Sequence, residues 1–125
     1  MNFINETAML AREDALEFCR INGPLIEYNQ AGKIGHYFCI REPIGEQEAT
    51  ELGMKTQQFP TTFWIPPQPS ANESEPNFVK PYTDDTIEYD GDEYVVKIIP
   101  TDTLGALYQC KAIRTKAHHL GVGVV

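Results

Sequence analysis

Residues 84–114, DDTIEYDGDEYVVKIIPTDTLGALYQCKAIR, read as three antiparallel strands in succession. Thr86 to Tyr89 alternates polar and apolar, and Asp90-Gly91 supplies the pair that a two-residue type I′ turn needs, since both central positions take φ > 0. Tyr94, Val96 and Ile98 alternate in the strand expected at 93–99, Pro100 stops it, and Thr101 to Gly105 turns the chain again. Tyr108, Cys110 and Ala112 then alternate with Gln109 and Lys111 in a last strand expected at 106–114.

Face parity ties the two turns together. Directly opposed residues of an antiparallel pair share a face of the sheet. A turn centred on Asp90-Gly91 sets Tyr89 against Asp92 and Ile87 against Tyr94, which places Ile87, Tyr89, Tyr94, Val96 and Ile98 on one face. If the second turn sets Ile98 against Tyr108, then Val96 meets Cys110 and Tyr94 meets Ala112, still on that face. Both turns therefore put the core on the same side.

The 125 residues are read as a single domain, 1–125, with one core and no room for a separate catalytic domain. No apolar run approaches a membrane span, and Met1 to Ile4 is followed by Asn5-Glu6, so neither a secretory leader nor a membrane helix is expected. Cys19, Cys39 and Cys110 are odd in number and widely spaced, which fits free thiols in a reducing cytosol. The net charge is −8, and each side of the Ile65–Pro66 junction carries 5 basic and 9 acidic residues, so neither half hides a basic patch. Affinity for nucleic acid grows with the phosphates that Lys and Arg neutralise, so tight DNA or RNA binding by that route is excluded.

Upstream, Asn5 or Thr7 is placed to cap a helix over about 6–21, which Asn22-Gly23-Pro24 ends. Its apolar stripe is Ala8, Ala11, Ala15, Leu16, Phe18 and Cys19, with Glu13, Asp14, Glu17 and Arg20 opposite, so the helix is expected to cover an open face of the sheet. Leu25 to Tyr28 and Ile34 to Arg41 read as a hairpin joined by 29–32. Residues 42–58 are polar, with one short helical turn around Glu48 to Leu52, and 59–65 is a further strand. Residues 66–81, PPQPSANESEPNFVKP, form a long loop without periodicity, read as disordered or as waiting for a partner. The tail, 117–125, ends in GVGVV and reads as a frayed end or as a strand added to a neighbouring sheet. The fold class is thus mainly β: a small antiparallel β-barrel or sandwich with one N-terminal α-helix and long loops.

Reactive constellations are weak. Aligning Gly91 with the glycine of an EF-hand loop puts Lys97 where a bidentate glutamate belongs, so the acids Asp84, Asp85, Glu88, Asp90, Asp92 and Glu93 read as solvated turn residues. His36 and Cys39 are three apart in a strand and so point to opposite faces. His118 and His119 lack the paired ligands that zinc needs, and there is no phosphate-cradling glycine loop and no GxSxG. The reading expects no enzyme, no metal and no cofactor. Apolarity and loop position instead single out partner-contact candidates: Glu48, Leu52 and Met54; Trp64, Pro66 and Pro67; Phe78 and Val79; and Val122 and Val124 in the tail.

One resemblance bears on function. Asp85, Ile87, Tyr89, Gly91, Tyr94, Val96, Ile99, Pro100, Asp102, Gly105 and Arg114 form a pattern similar to the C-terminal half of small neck proteins of tailed bacteriophages, the head–tail joining or head-closure (stopper) proteins. The pattern covers about a quarter of the chain, and none of its residues is catalytic. The resemblance implies a structural virion protein in a homo-oligomeric ring, usually six-fold. Such a ring sits between the portal or adaptor and the tail proteins and closes the filled head. It implies passage of packaged DNA through the lumen without tight binding, no membrane, manufacture in the host bacterial cytoplasm and residence at the neck. A tail-completion or terminator role in the same neck is the near alternative. A non-viral barrel that binds a ligand or acts as an enzyme is the distant one, and a pocket with convergent polar groups would favour it.

Overall fold

The computed structural model describes the backbone of residues 3–100 and 107–117 and the side chains of 13–100 and 107–115. A helix, α1 (Phe3–Asn22), leads into β1 (Leu25–Gln30), β2 (Lys33–Phe38) and β3 (Ile40–Pro43). A short helix, α2 (Glu46–Glu51), and one 3-10 turn (Thr56–Gln58) precede β4 (Thr61–Ile65). The meander follows as β5 (Thr86–Tyr89), β6 (Asp92–Ile98) and β7 (Tyr108–Ala117). The seven strands form one antiparallel sheet in the order β2-β1-β5-β6-β7-β4-β3. The mainly β class with an N-terminal helix is the one read from sequence.

The edges of this sheet explain its curl. β2 lies at one edge and β3 at the other, yet only Cys39 separates them in the chain. A single extended run, expected as one strand over 34–41, is therefore bent so that its first half pairs with β1 and its second with β4. The sheet has to curl into a barrel-like form to meet both halves. Its inner face carries the core: Ile26, Tyr28, Tyr37, Cys39, Phe63, Ile65, Ile87, Tyr94, Val96, Cys110 and Ala112. At about 25 cal/mol per Å² of apolar surface removed from water, this cluster is the main source of stability.

Two tight turns are of type I′. Asp90 (φ 53°) and Gly91 (φ 83°) join β5 to β6, with Ile87 opposite Tyr94 and Tyr89 opposite Asp92 as the parity argument requires. Ala31 (φ 53°) and Gly32 (φ 86°) join β1 to β2, a two-residue turn where a four-residue one was expected. The Asn29 side chain closes it by accepting a hydrogen bond from the Gly32 amide at 2.9 Å.

Several expectations are corrected. Val96 opposes Ala112 and Tyr94 opposes Arg114, two residues further along β7 than expected. The tight turn assumed at 101–105 lies outside the described residues. An extra residue, Lys97, then bulges β6, and Ile98 pairs with Lys111 on the outer face. There Ile98 and Ile113 pack on Ile44, Ala49, Leu52 and Met54, so the segment around α2 covers an apolar strip of the outer face. β4 begins at Thr61 because Phe59 is left-handed (φ 48°) and Pro60 follows. α1 begins before Asn5 and Thr7, so neither residue caps it. Nor does the described end of α1 lie flat over the sheet. Cys19 is buried against the barrel, whereas Phe18 and Ile21 are 57% and 70% exposed. The closest approach is at Gly23, where an added Cβ would fall 1.7 Å from the Cys39 carbonyl oxygen, so no larger residue fits there.

Candidate functional site

The long loop at 66–81 is not free. Its Gln68 side chain acts as a piece of strand along the outer edge of β2, accepting from the Phe38 amide at 2.8 Å and donating to the Phe38 carbonyl at 2.8 Å. One turn on, the Ser70 hydroxyl accepts from the His36 amide, and the Ala71 amide donates to the His36 carbonyl at 2.9 Å. The loop thereby satisfies an edge that would otherwise recruit another strand. Glu75 completes the clamp, with one carboxylate oxygen 2.7 Å from His36 Nδ1 and 2.8 Å from the Ser70 hydroxyl. Those hydrogen bonds hold the Glu75 carboxyl below the usual glutamate range. Ser70 and His36 share one carboxylate instead of contacting each other side chain to side chain, so no serine nucleophile is set up.

This arrangement places Phe78, expected to wait for a partner, inside its own barrel. It is 4% exposed and packs edge-on against Tyr28 (5.2 Å) and Tyr108 (6.3 Å) and tilted against Tyr37 (5.2 Å). The backbone bridge Gln68–Phe78 aims it inward, and burial of the ring outweighs its polar sequence surroundings. Pro66 and Met54 are likewise buried in their own chain and so not free for a partner, Met54 because the outer-face isoleucines need cover. Leu52 and Pro67 are half-buried. Trp64 is half-buried on the outer face, beside Ile40 and Gln109. Glu48 is exposed but engaged, holding the buried Lys111 ammonium at 2.8 Å. Val79 is 71% exposed. Val122 and Val124 lie outside the described residues.

Polar groups elsewhere in the barrel are structural. Asp85, expected to be solvated, is buried and accepts from the Tyr28 hydroxyl (2.5 Å), the Gln30 amide (2.9 Å) and the Tyr82 backbone amide (2.8 Å). Burial, with Asp85 and Cys110 nearby, drives the Tyr28 phenol far above its ordinary pKa. Asp92 is also buried, beside Arg114, so two of the six turn acids are core groups. Burial raises the Cys19 and Cys39 thiols to about 11 and about 12 and pushes Cys110 up as well. All three are protonated at neutral pH and therefore poor nucleophiles. His36 sits half-buried on the outer face while Cys39 is in the core, the opposite faces expected.

Of the concave sites on the described surface, one lies at the barrel end away from Phe78 and gathers two arginines. A pocket of about 260 Å³ is lined by Arg41, Pro43, Ile44, Thr56, Phe59, Pro60, Thr61, Asp92, Tyr94 and Arg114. Strand pairing sets Arg41 against Phe63, and Arg114 against Tyr94, so both arginines share the inner face with the core. Each guanidinium rests on a ring: Arg114 lies 3.7 Å from the Phe59 centroid, and Arg41 lies 5.0 Å from that of Tyr89. None of these residues was singled out as a site from sequence, although the alternation that places Cys110 and Ala112 inward also places Arg114 inward. Among the described residues no cluster of His, Cys, Asp and Glu is arranged to hold a metal, and no helix is long and apolar enough to cross a membrane. Comparison with known protein families, curated proteins and solved structures finds no match to this chain.

Proposed function

We propose that the chain is a structural subunit of a tailed-phage neck, working in a ring between portal and tail and closing the filled head. The neck assignment rests on the resemblance of 85–114, and the assembly role rests on one observation. At the junction of α1 and β1, Phe18 and Ile21, one helical turn apart, are exposed together with Leu25. Large apolar side chains exposed one helical turn apart are candidates for a protein contact surface. The acidic balance of −8 suits a lumen that DNA traverses without sticking. Portal or adaptor and tail proteins are the partners in this reading, and terminator and stopper roles share it.

The test is assembly. Sedimentation of the purified chain, alone and with portal assemblies, is expected to show a ring or a portal-bound ring, and the double variant Phe18→Ser, Ile21→Ser is expected to lose it with the barrel intact. A monomer that never joins portal or tail, together with no density for it at the neck of virions, overturns the proposal. The pocket at the barrel mouth favours a second reading, a ligand-binding barrel of another class; turnover or tight small-molecule binding by a monomer would select it.

A further inference from the structure

Four features of the barrel mouth belong together. First, the Arg114 side chain is 15% exposed and is paired loosely with Asp92, at 3.7 Å, within ion-pair but beyond hydrogen-bond distance, the one carboxylate beside it among the described residues. Second, Arg41 lines the same pocket and takes part in no ion pair among the described residues. Third, Tyr94 lines it while only 2% exposed, and no hydrogen bond among the described residues uses its hydroxyl. Fourth, Phe59 holds a left-handed backbone (φ 48°), a conformation costly for a bulky residue, with its ring beneath Arg114. The two guanidiniums thus rest on aromatic rings at the rim of one cavity, Arg114 beside the Asp92 carboxylate and Arg41 with no ion pair among the described residues.

We infer that this pocket binds an aliphatic carboxylate, presented as a glutamate side chain of another polypeptide. The ligand class follows from charge and shape. Two guanidiniums and the Asp92 carboxylate leave the lining with a single net positive charge, which matches a monoanion and not a phosphate dianion. The forks suit the planar, two-oxygen geometry of a carboxylate, and the Tyr94 hydroxyl adds a third donor. Pro43, Ile44, Phe59 and Pro60 supply apolar wall for a short methylene stem. A volume of about 260 Å³ has room for the carboxylate, its stem and a few waters at roughly 30 Å³ each. On a chain with 18 acidic and 10 basic residues, such a spot is a locally positive socket in an acidic surface. It stands independently of the neck assignment, because it needs only the folded subunit.

The experiment follows the arginine Nε–H resonances of the whole chain by NMR while a capped glutamate, N-acetyl-glutamate N′-methylamide, is added. Capped glutamine and inorganic phosphate are run as separate arms, and butyrate as the free-carboxylate arm. The capped glutamate is expected to shift both arginine signals in the millimolar range and to bind more tightly than butyrate and phosphate, with the capped glutamine silent. Arg41→Gln, at an exposed position, is expected to weaken binding about tenfold or more, as loss of a charge-assisted pair requires, while lowering the melting temperature by no more than about 4 °C through loss of the Tyr89 contact. Arg41→Lys, which keeps the charge but not the fork, is expected to recover only part of the affinity. Binding of phosphate or capped glutamine as tight as capped glutamate, affinity unchanged in Arg41→Gln, or no shift at either arginine overturns the inference. Butyrate equal to capped glutamate would assign the socket to free carboxylates and overturn the peptide part.

Discussion

Replacing Phe78 by alanine tests whether the long loop is part of the barrel. Phe78 is 4% exposed and meets three aromatic rings, two of them at 5.2 Å. Truncating a buried phenylalanine costs about 3–5 kcal/mol through lost burial and the cavity left behind. Against a total stability of about 5–15 kcal/mol for a domain of this kind, that is a large share. At about 4 °C per kcal/mol for a chain of this size, the melting temperature is expected to fall by about 12–20 °C. Thermal and urea melts of Phe78→Ala and of its neighbour Val79→Ala give the comparison. Val79 is 71% exposed and its truncation should change stability by no more than about 0.5 kcal/mol. Hydrogen exchange adds a local reading, because the Gln68 and Phe78 amides bond each other's carbonyls at 3.1 and 2.7 Å and should lose protection first. If Phe78→Ala costs less than about 1 kcal/mol, or no more than Val79→Ala, then the ring does not plug the barrel and the reasoning fails.

Three further outcomes follow from other contacts. Ala31 sits at φ 53°, so Ala31→Asn should raise stability by about 0.5–1 kcal/mol, seen as a higher urea midpoint; a loss would mean the turn is not type I′. Removing Glu48 leaves the buried Lys111 ammonium without its carboxylate, so Glu48→Ala should cost about 1–2 kcal/mol, discounted for the half-exposed Glu48, while Lys111→Met should cost less; the reverse order in chemical melts refutes this. The Glu75 carboxyl is held below its ordinary value, so its clamp stabilises the loop above that value and is lost as pH falls through the lowered one. The protection factor of the Ala71 amide is therefore expected to hold down to the ordinary glutamate range and to drop below it ahead of the barrel amides; parallel loss at all sites would contradict it.

What could be read in the chain was what local chemistry encodes. Asp90-Gly91 announces its turn because few other pairs tolerate two positive φ values, and the strand parity that follows from it held across β5 and β6. Ala31-Gly32 makes the same turn without announcing it, since alanine carries no such preference. The Lys97 bulge and the bend at Cys39 have no glycine or proline to mark them, so Ile98 changed face and one expected strand became two opposite edges. Phe78 is hidden in the sequence because the polar residues around it describe the outside of the loop, not the ring that turns in. The barrel-mouth pocket was the least visible part. Arg41 and Arg114 are far apart in sequence and meet only once the sheet has curled, a long-range event that no window of residues contains.

Because β2 and β3 are consecutive, the rims of the sheet are fastened by one clasp at Cys39. Undoing that clasp weakens both rims together, leaving β2 to β1 and the 66–81 loop and β3 to β4. The molecule should therefore melt as a single unit, with calorimetric and van't Hoff enthalpies in agreement, and a peptide bond cut beside Cys39 should be felt at both rims, far apart along the sheet but adjacent in the chain.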